Sequence, residues 1–170
     1  MTEPNDTEAT TSLVDGNRSY SETFDAGHTP KLPARGLFVL TCMDARVDPL
    51  RLLGLELGDA HIMRNAGGRV SDDAVRSLVV SSALQGTREV AVIHHTDCGL
   101  GATTDEQMRA DLAARGVDVG NLWIGAFDDV DDSVRDDVAT LRASLAGAEV
   151  TVTGYVYDVR TGALREVDGA

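Results

Sequence analysis

GLFVLTCMDAR, residues 36–46, runs from an uninterrupted apolar stretch straight into a polar turn that carries a cysteine. Residues 36–41 read as a strand buried on both faces, because a short apolar run bounded by glycine suits the middle of a parallel sheet. EVAVIHHTDC, residues 89–98, has the same build: a strand over 89–94, then His95-Thr96-Asp97-Cys98. Cys42 and Cys98 are the two cysteines of the chain. If the two runs are neighbouring parallel strands, their carboxyl ends lie side by side, and Cys42, His95 and Cys98 converge on one point.

Working outward, the remaining elements fall into strand–helix alternation. Asp48 is placed to cap a short helix that opens at Pro49, and Gly54 and Gly58 break it. A second strand is expected over 61–64, ending in Asn65-Ala66-Gly67-Gly68. Ser71 caps the next helix, Asp72 and Asp73 complement its dipole, and Val75, Leu78, Val79 and Ala83 recur at helical intervals. After Cys98-Gly99-Leu100-Gly101, the sequence Thr104-Asp105-Glu106-Gln107 reads as a capping box for a helix that Gly116 stops. Residues 117–129 form a connection with room for a strand over 121–125. A helix is expected over 131–145, with Val134, Val138, Leu141 and Leu145 on one face. A strand over 149–159 then turns at Thr161-Gly162 into a short last strand, 163–167. Alternating elements of this kind specify an α/β fold: a single domain over 12–170 with a mainly parallel central sheet, four parallel strands plus an antiparallel C-terminal strand, flanked by helices. Residues 1–11 read as a disordered tail and residues 12–24 as a weak helix whose Leu13, Val14, Tyr20 and Phe24 need a partner to pack on.

Charge excludes some functions. The chain of 170 residues carries 28 acidic and 15 basic side chains, a net charge of −13, and Lys31 is its one lysine. Such a surface repels nucleic acid and anionic membrane, so neither is expected as a partner. Its acidity fits either a solvated surface from an arginine-using genome or a salty cytoplasm, which stability measured against KCl would separate. No apolar run is long enough to span a membrane. The first eleven residues lack the basic and apolar segments of a secretory signal, so a cytoplasmic location is expected. In that reducing compartment a cysteine pair points to metal binding or catalysis before a disulfide.

Two thiolates and an imidazole form a soft ligand set that favours zinc over magnesium or calcium, and three protein ligands leave a fourth position for water or substrate. Asp44 and Arg46 follow Cys42 on the same turn. An arginine beside a carboxylate keeps it ionised and can fix its orientation by a bidentate contact. Asp44 can then orient a reacting oxygen at the metal, or take the fourth position itself and close the site. Gly99-Leu100-Gly101 lacks the third glycine of a dinucleotide-binding fingerprint, which sets nucleotide binding aside.

Together, T-C-M-D-A-R at 41–46, R-N-A-G at 64–67 and H-T-D-C-G at 95–99 resemble the β-class carbonic anhydrases, over about residues 33–159. The resemblance implies Zn2+ held by Cys42, His95 and Cys98. It also implies that Asp44 and Arg46 are the dyad orienting the attacking hydroxide, with Asp44 a possible fourth ligand in a closed state. The implied reaction is reversible hydration of carbon dioxide to bicarbonate and a proton, in a homodimer or homotetramer. Many relatives have two glycines after the second cysteine, whereas here Leu100 follows Gly99. Two other readings stay open: a carbonyl sulfide or carbon disulfide hydrolase on the same scaffold, and a non-catalytic zinc- or bicarbonate-binding protein. His61 and His94 are candidate proton carriers.

Overall fold

In the computed structural model, the backbone is described for residues 6–170 and the side chains from residue 12. The tail expected over 1–11 therefore lies outside the described residues, apart from the first turns of helix α1 (Asp6–Glu22). Every strand expected in the α/β reading is present except the optional one at 121–125. The strands are β1 (Leu37–Cys42), β2 (Ala60–Asn65), β3 (Glu89–His95), β4 (Thr151–Tyr157) and β5 (Leu164–Glu166). They form one sheet in the order β2-β1-β3-β4-β5, parallel except for the antiparallel β4–β5 pair. The helices are α2 (Pro49–Leu53), α3 (Asp72–Leu84), α4 (Asp105–Ala114) and α5 (Val130–Ser144).

The local signals act as their chemistry dictates. Asp48 accepts from Arg51 N, Ser71 from Ala74 N and Thr104 from Gln107 N, each closing a helix N-terminus. The capping box at 104–107 forms only in half, because the Gln107 amide turns forward to Asp111 instead of back to Thr104. Asp105 is also drawn away: its carboxylate accepts from Ile124 N and Ala126 N, which ties down the 117–129 connection. That tie, with an isolated parallel bridge between Gly101 and Phe127, takes the place of the optional strand.

The sheet has an apolar layer on each face. Phe38, Leu40, Val90, Val92, Val152 and Val156 pack with Leu78 of α3 and with Val134, Val138 and Leu141 of α5. Val39, Ala91 and Ile93 point the other way, with Leu55, against Leu50 and Tyr155. The alternation along each strand is the two-residue repeat of a pleated backbone. α5 sits close to β4 because position 154 is glycine: a Cβ there would stand 2.3 Å from Val134 Cγ1. By contrast, Leu13, Val14, Tyr20 and Phe24, on and just after α1, stay exposed, as do Val79, Val80 and Leu84 on α3. No described helix is long and apolar enough to cross a membrane.

Candidate metal centre and active site

Parallel pairing puts the carboxyl ends of β1 and β3 side by side, with Thr41 opposite Ile93. Thr41 Oγ1 donates to the Ile93 carbonyl at 2.9 Å and holds that register. Beyond these ends, one ligand atom from each of Cys42, His95 and Cys98 lies within 4.8 Å of the other two. Both cysteines are free thiols. This is the convergence that the strand reading anticipates.

The histidine is prepared for an electrophile. His95 is 1% exposed. Its Nδ1 lies 2.9 Å from the Thr96 carbonyl, an acceptor only, so Nδ1 carries the hydrogen and Nε2 presents its lone pair. Nε2 is buried without a hydrogen-bond partner. A ligating imidazole is oriented in this way by a backbone carbonyl on its far nitrogen. The sulfurs fit as well. The hydrogen bond from Cys98 holds the Cys42 thiol well below its ordinary range, against the opposing effect of burial, with help from His95. Cys98 is pushed up by the same hydrogen bond and by burial. Burial lowers His95, but its contacts with Cys42 and the Thr96 carbonyl outweigh that and raise it. Two buried groups and the half-buried Cys98, contending for protons, are a donor set for a soft divalent cation, whose binding displaces those protons. The residues present therefore fit a zinc ion.

Beside them, Asp44 is held by Arg46. Arg46 Nε donates to Asp44 Oδ1 at 3.0 Å and Nη2 to Oδ2 at 2.7 Å, while the Arg46 backbone N–H adds a third bond at 2.8 Å. The side-chain and backbone bonds from Arg46 hold the Asp44 carboxyl well below the usual carboxylate range. Arg46 is in turn raised by Asp44 and Asp97. Asp44 Oδ2 stands 3.9 Å from His95 Nε2, so the carboxylate borders the ligand cluster while engaged with Arg46.

A cavity of about 480 Å³ opens onto this cluster. Its polar side carries Cys42, Asp44 and Cys98, and its apolar side Ala45, Ala66, Gly67 and Leu100. Leu100, the departure noted after Gly99, is part of this wall and is packed against Gly67: a Cβ on Gly67 would lie 3.0 Å from Leu100 Cδ1. Neither His61 nor His94 lines the cavity. His61 lies near the opposite end of β2 and bonds Ser81, and His94 is fully buried against Ser133.

Sequence reasoning missed two supports of this site. Arg64, the first residue of R-N-A-G, donates to the carbonyls of Cys42 (3.0 Å) and Asp44 (2.7 Å) and so clamps the turn that carries them. Deeper in, Arg69 donates Nε to Asp137 Oδ2 at 2.8 Å, Nη2 to Oδ1 at 3.2 Å and Nη1 to the Gly125 carbonyl at 3.0 Å. Its guanidinium also lies over the Trp123 and Phe127 rings. Phe127 N donates to the Leu100 carbonyl, which connects this pair to the cavity wall. One signal was there to be read: Asp137 stands on the same face of α5 as Val134, Val138 and Leu141, where a carboxylate needs a buried partner.

Comparison with known proteins agrees with this geometry. A family model described as carbonic anhydrase matches residues 37–129, more than half of the chain. The beta-carbonic anhydrase 1 of Mycobacterium tuberculosis is 38% identical over 159 residues, covering 89% of this chain and 93% of that protein. A carbon disulfide hydrolase of Saccharolobus solfataricus is 37% identical over 157 residues, covering 78% and 77%. The crystal structure of a carbonic anhydrase from Streptococcus mutans superposes with a TM-score of 0.88 at 38% identity, over 99% of this chain and 100% of that one. Fold, converging cysteines and histidine, and identity sustained over nearly the whole chain give one conclusion: the chain belongs to the β-carbonic anhydrase family.

Proposed function

We propose that this protein catalyses the reversible hydration of carbon dioxide to bicarbonate and a proton, with zinc held by Cys42, His95 and Cys98 and with Asp44 and Arg46 as the orienting dyad. The observation that carries this reading is the set of three soft donors within 4.8 Å of one another, bordered by a carboxylate that Arg46 holds at two points. When bound, zinc at such a site lowers the pKa of water to about 7 and makes hydroxide available at neutral pH. The Thr96 carbonyl fixes the His95 tautomer so that Nε2 faces inward. Asp44, kept ionised by Arg46, accepts a hydrogen bond only, and so aims the attacking oxygen's free lone pair at the substrate carbon. Ala45, Ala66, Gly67 and Leu100 offer an uncharged wall to an uncharged substrate.

A second reading has its own support. A relative 37% identical to this chain is named a carbon disulfide hydrolase, and a linear apolar substrate of that kind meets the same wall and the same dyad. Exposed Leu13, Val14, Tyr20 and Phe24, with Val79, Val80 and Leu84, also support a homodimer or homotetramer in which a second copy covers them. Free thiols are in keeping with a cytoplasmic location.

Elemental analysis of the purified protein, stopped-flow carbon dioxide hydration and a sulfide-release assay test these readings together. One zinc per chain with hydration is expected. Asp44→Asn is expected to keep the zinc and lose most turnover; a fully active Asp44→Asn would remove the dyad from the mechanism. Sulfide release without hydration would favour the hydrolase. Full zinc content with neither activity would leave a binding protein.

A further inference from the structure

We infer that Asp97 is a positioning residue, a second anchor that fixes Arg46 to the turn carrying His95 and Cys98; the inference rests on the role proposed above for the Asp44–Arg46 dyad. Arg46 lies between two turns. One edge of its guanidinium faces Asp44, on the turn after β1. From the other edge Nη1 donates to Asp97 Oδ2 at 2.8 Å, and Nη2 donates to the Asp97 backbone carbonyl at 2.9 Å. A planar guanidinium gripped by one carboxylate follows that carboxylate when it moves. Gripped at both edges, it is fixed relative to both turns, and Asp44 is then oriented against the same backbone that supplies two of the three metal donors.

The backbone at Asp97, and not the stability of the contact, separates this from an ordinary surface ion pair. The side chains of Arg46 and Asp97 are 46% and 61% exposed, and pairs at such sites add little to stability. What the contact provides is geometry. Asp97 also has a φ of +56°, a left-handed conformation that few residues other than glycine adopt and that aspartate and asparagine tolerate best. The chain holds an unfavourable backbone at the one residue whose carboxylate and carbonyl both receive Arg46. Strain of that kind is retained where the surrounding structure and the function require it.

The experiment uses the full-length zinc-loaded protein with Asp97→Gly and Asp97→Asn. Glycine accepts the positive φ and removes the carboxylate, while asparagine keeps both the backbone preference and an acceptor oxygen. Arg46 is followed by its guanidinium N–H resonances, assigned by their loss in Arg46→Lys, alongside zinc content and the kcat and KM of carbon dioxide hydration. In the wild type, separate Nη resonances are expected because rotation about Cζ–Nη is hindered. In Asp97→Gly the Nη1 resonance, which loses Asp97 Oδ2, shifts and broadens while Nη2 keeps Asp44 and the backbone carbonyl, zinc content and KM hold, and kcat falls about fivefold, the equivalent of one exposed ion pair. Asp97→Asn falls between the two, and carries the test if the glycine variant folds poorly. Unchanged Nη resonances in Asp97→Gly, or a kcat within about twofold of wild type, overturn the inference. A wild type with full zinc and no hydration activity refutes the proposed function instead, and the Nη resonances then decide the anchoring alone.

Discussion

Replacing Asp137 with alanine should unfold this protein at a markedly lower temperature, although position 137 touches no substrate. The Asp137 and Arg69 side chains are 5% and 10% exposed. Removing the carboxylate strands a guanidinium that keeps one carbonyl partner, at Gly125, and two aromatic faces. It also frees Val70 N, which donates to Asp137 Oδ2 at 3.2 Å, and takes away the group 3.1 Å from His94 Nε2. Breaking a buried pair by deleting one member costs roughly 3–5 kcal/mol, because the surviving charge is left in the interior. Taking about 4 kcal/mol and the 2–4 °C per kcal/mol typical of a chain this long, Tm falls by about 8–16 °C. The assay is thermal unfolding by circular dichroism at fixed zinc and protein concentration, with Arg69→Met and the double variant completing a cycle. Deleting both charges removes the stranded cation, so the double variant should be more stable than Asp137→Ala alone. A Tm loss under about 2 °C for Asp137→Ala, or losses in the double variant that simply add, would refute the account of this pair as a coupled unit.

Two further outcomes follow from the same geometry. Gly68→Ala is expected to cost about 3 kcal/mol and to weaken zinc binding, since φ there is +71° and a Cβ would stand 2.9 Å from Cys42 N, a backbone atom that cannot swing aside. Gly54→Ala, with φ +61° and open space around it, should lose only about 1 kcal/mol, so equal losses at the two positions would contradict the steric argument. In acid, the contribution of Asp137 should fade. Burial opposes its ionisation, yet hydrogen bonds with His94 and Arg69 prevail and hold it below the ordinary range. A depressed folded-state pKa means that the stabilisation is complete above the unfolded value, near 4, and is lost as pH falls through the folded one. The Tm gap between wild type and Asp137→Asn should therefore be level from about pH 7 to 5 and narrow below about pH 4; a gap that widens in acid would reverse the assignment.

What was legible in the sequence is what depends on near neighbours in the chain. Asp48, Ser71 and Thr104 cap helices because the N–H groups they satisfy lie three residues away. The strands could be read from their apolar runs, and the convergence of Cys42, His95 and Cys98 from their position directly after two of those runs. The supports of the site depend on pairings no local pattern records. Arg69 and Asp137 are 68 residues apart and Arg46 and Asp97 are 51 apart, so neither partner shows within one segment, even though Arg46 stands beside Asp44 and Asp137 lies on an apolar helix face. The optional strand at 121–125 does not form for a similar reason. Asp105, which looks like part of a cap, spends its carboxylate on Ile124 N and Ala126 N, so the segment satisfies its backbone without pairing as a strand.

His94-His95 poses the sharpest version of this question, since either ring could have been the donor. The pleat separates them. β3 sends Val90 and Val92 into the layer under α5, and the two-residue repeat carries His94 to that same face, where Nδ1 lies 2.7 Å from Ser133 Oγ and Nε2 3.1 Å from Asp137. His95 follows Ala91 and Ile93 to the other face, at the open end of the strand. A slip of one residue between β1 and β3 would exchange the two rings and bring the wrong one to the cysteines. The Thr41–Ile93 hydrogen bond guards against that slip from within the sheet. α5 guards against it from outside: pressed onto β4 over Gly154, it offers Ser133 and Asp137 to one histidine only. The buried pair that stabilises the fold thereby also holds His94 away from the cysteines, and a variant that loosens α5 should blur the distinction between the two histidines before it unfolds the sheet.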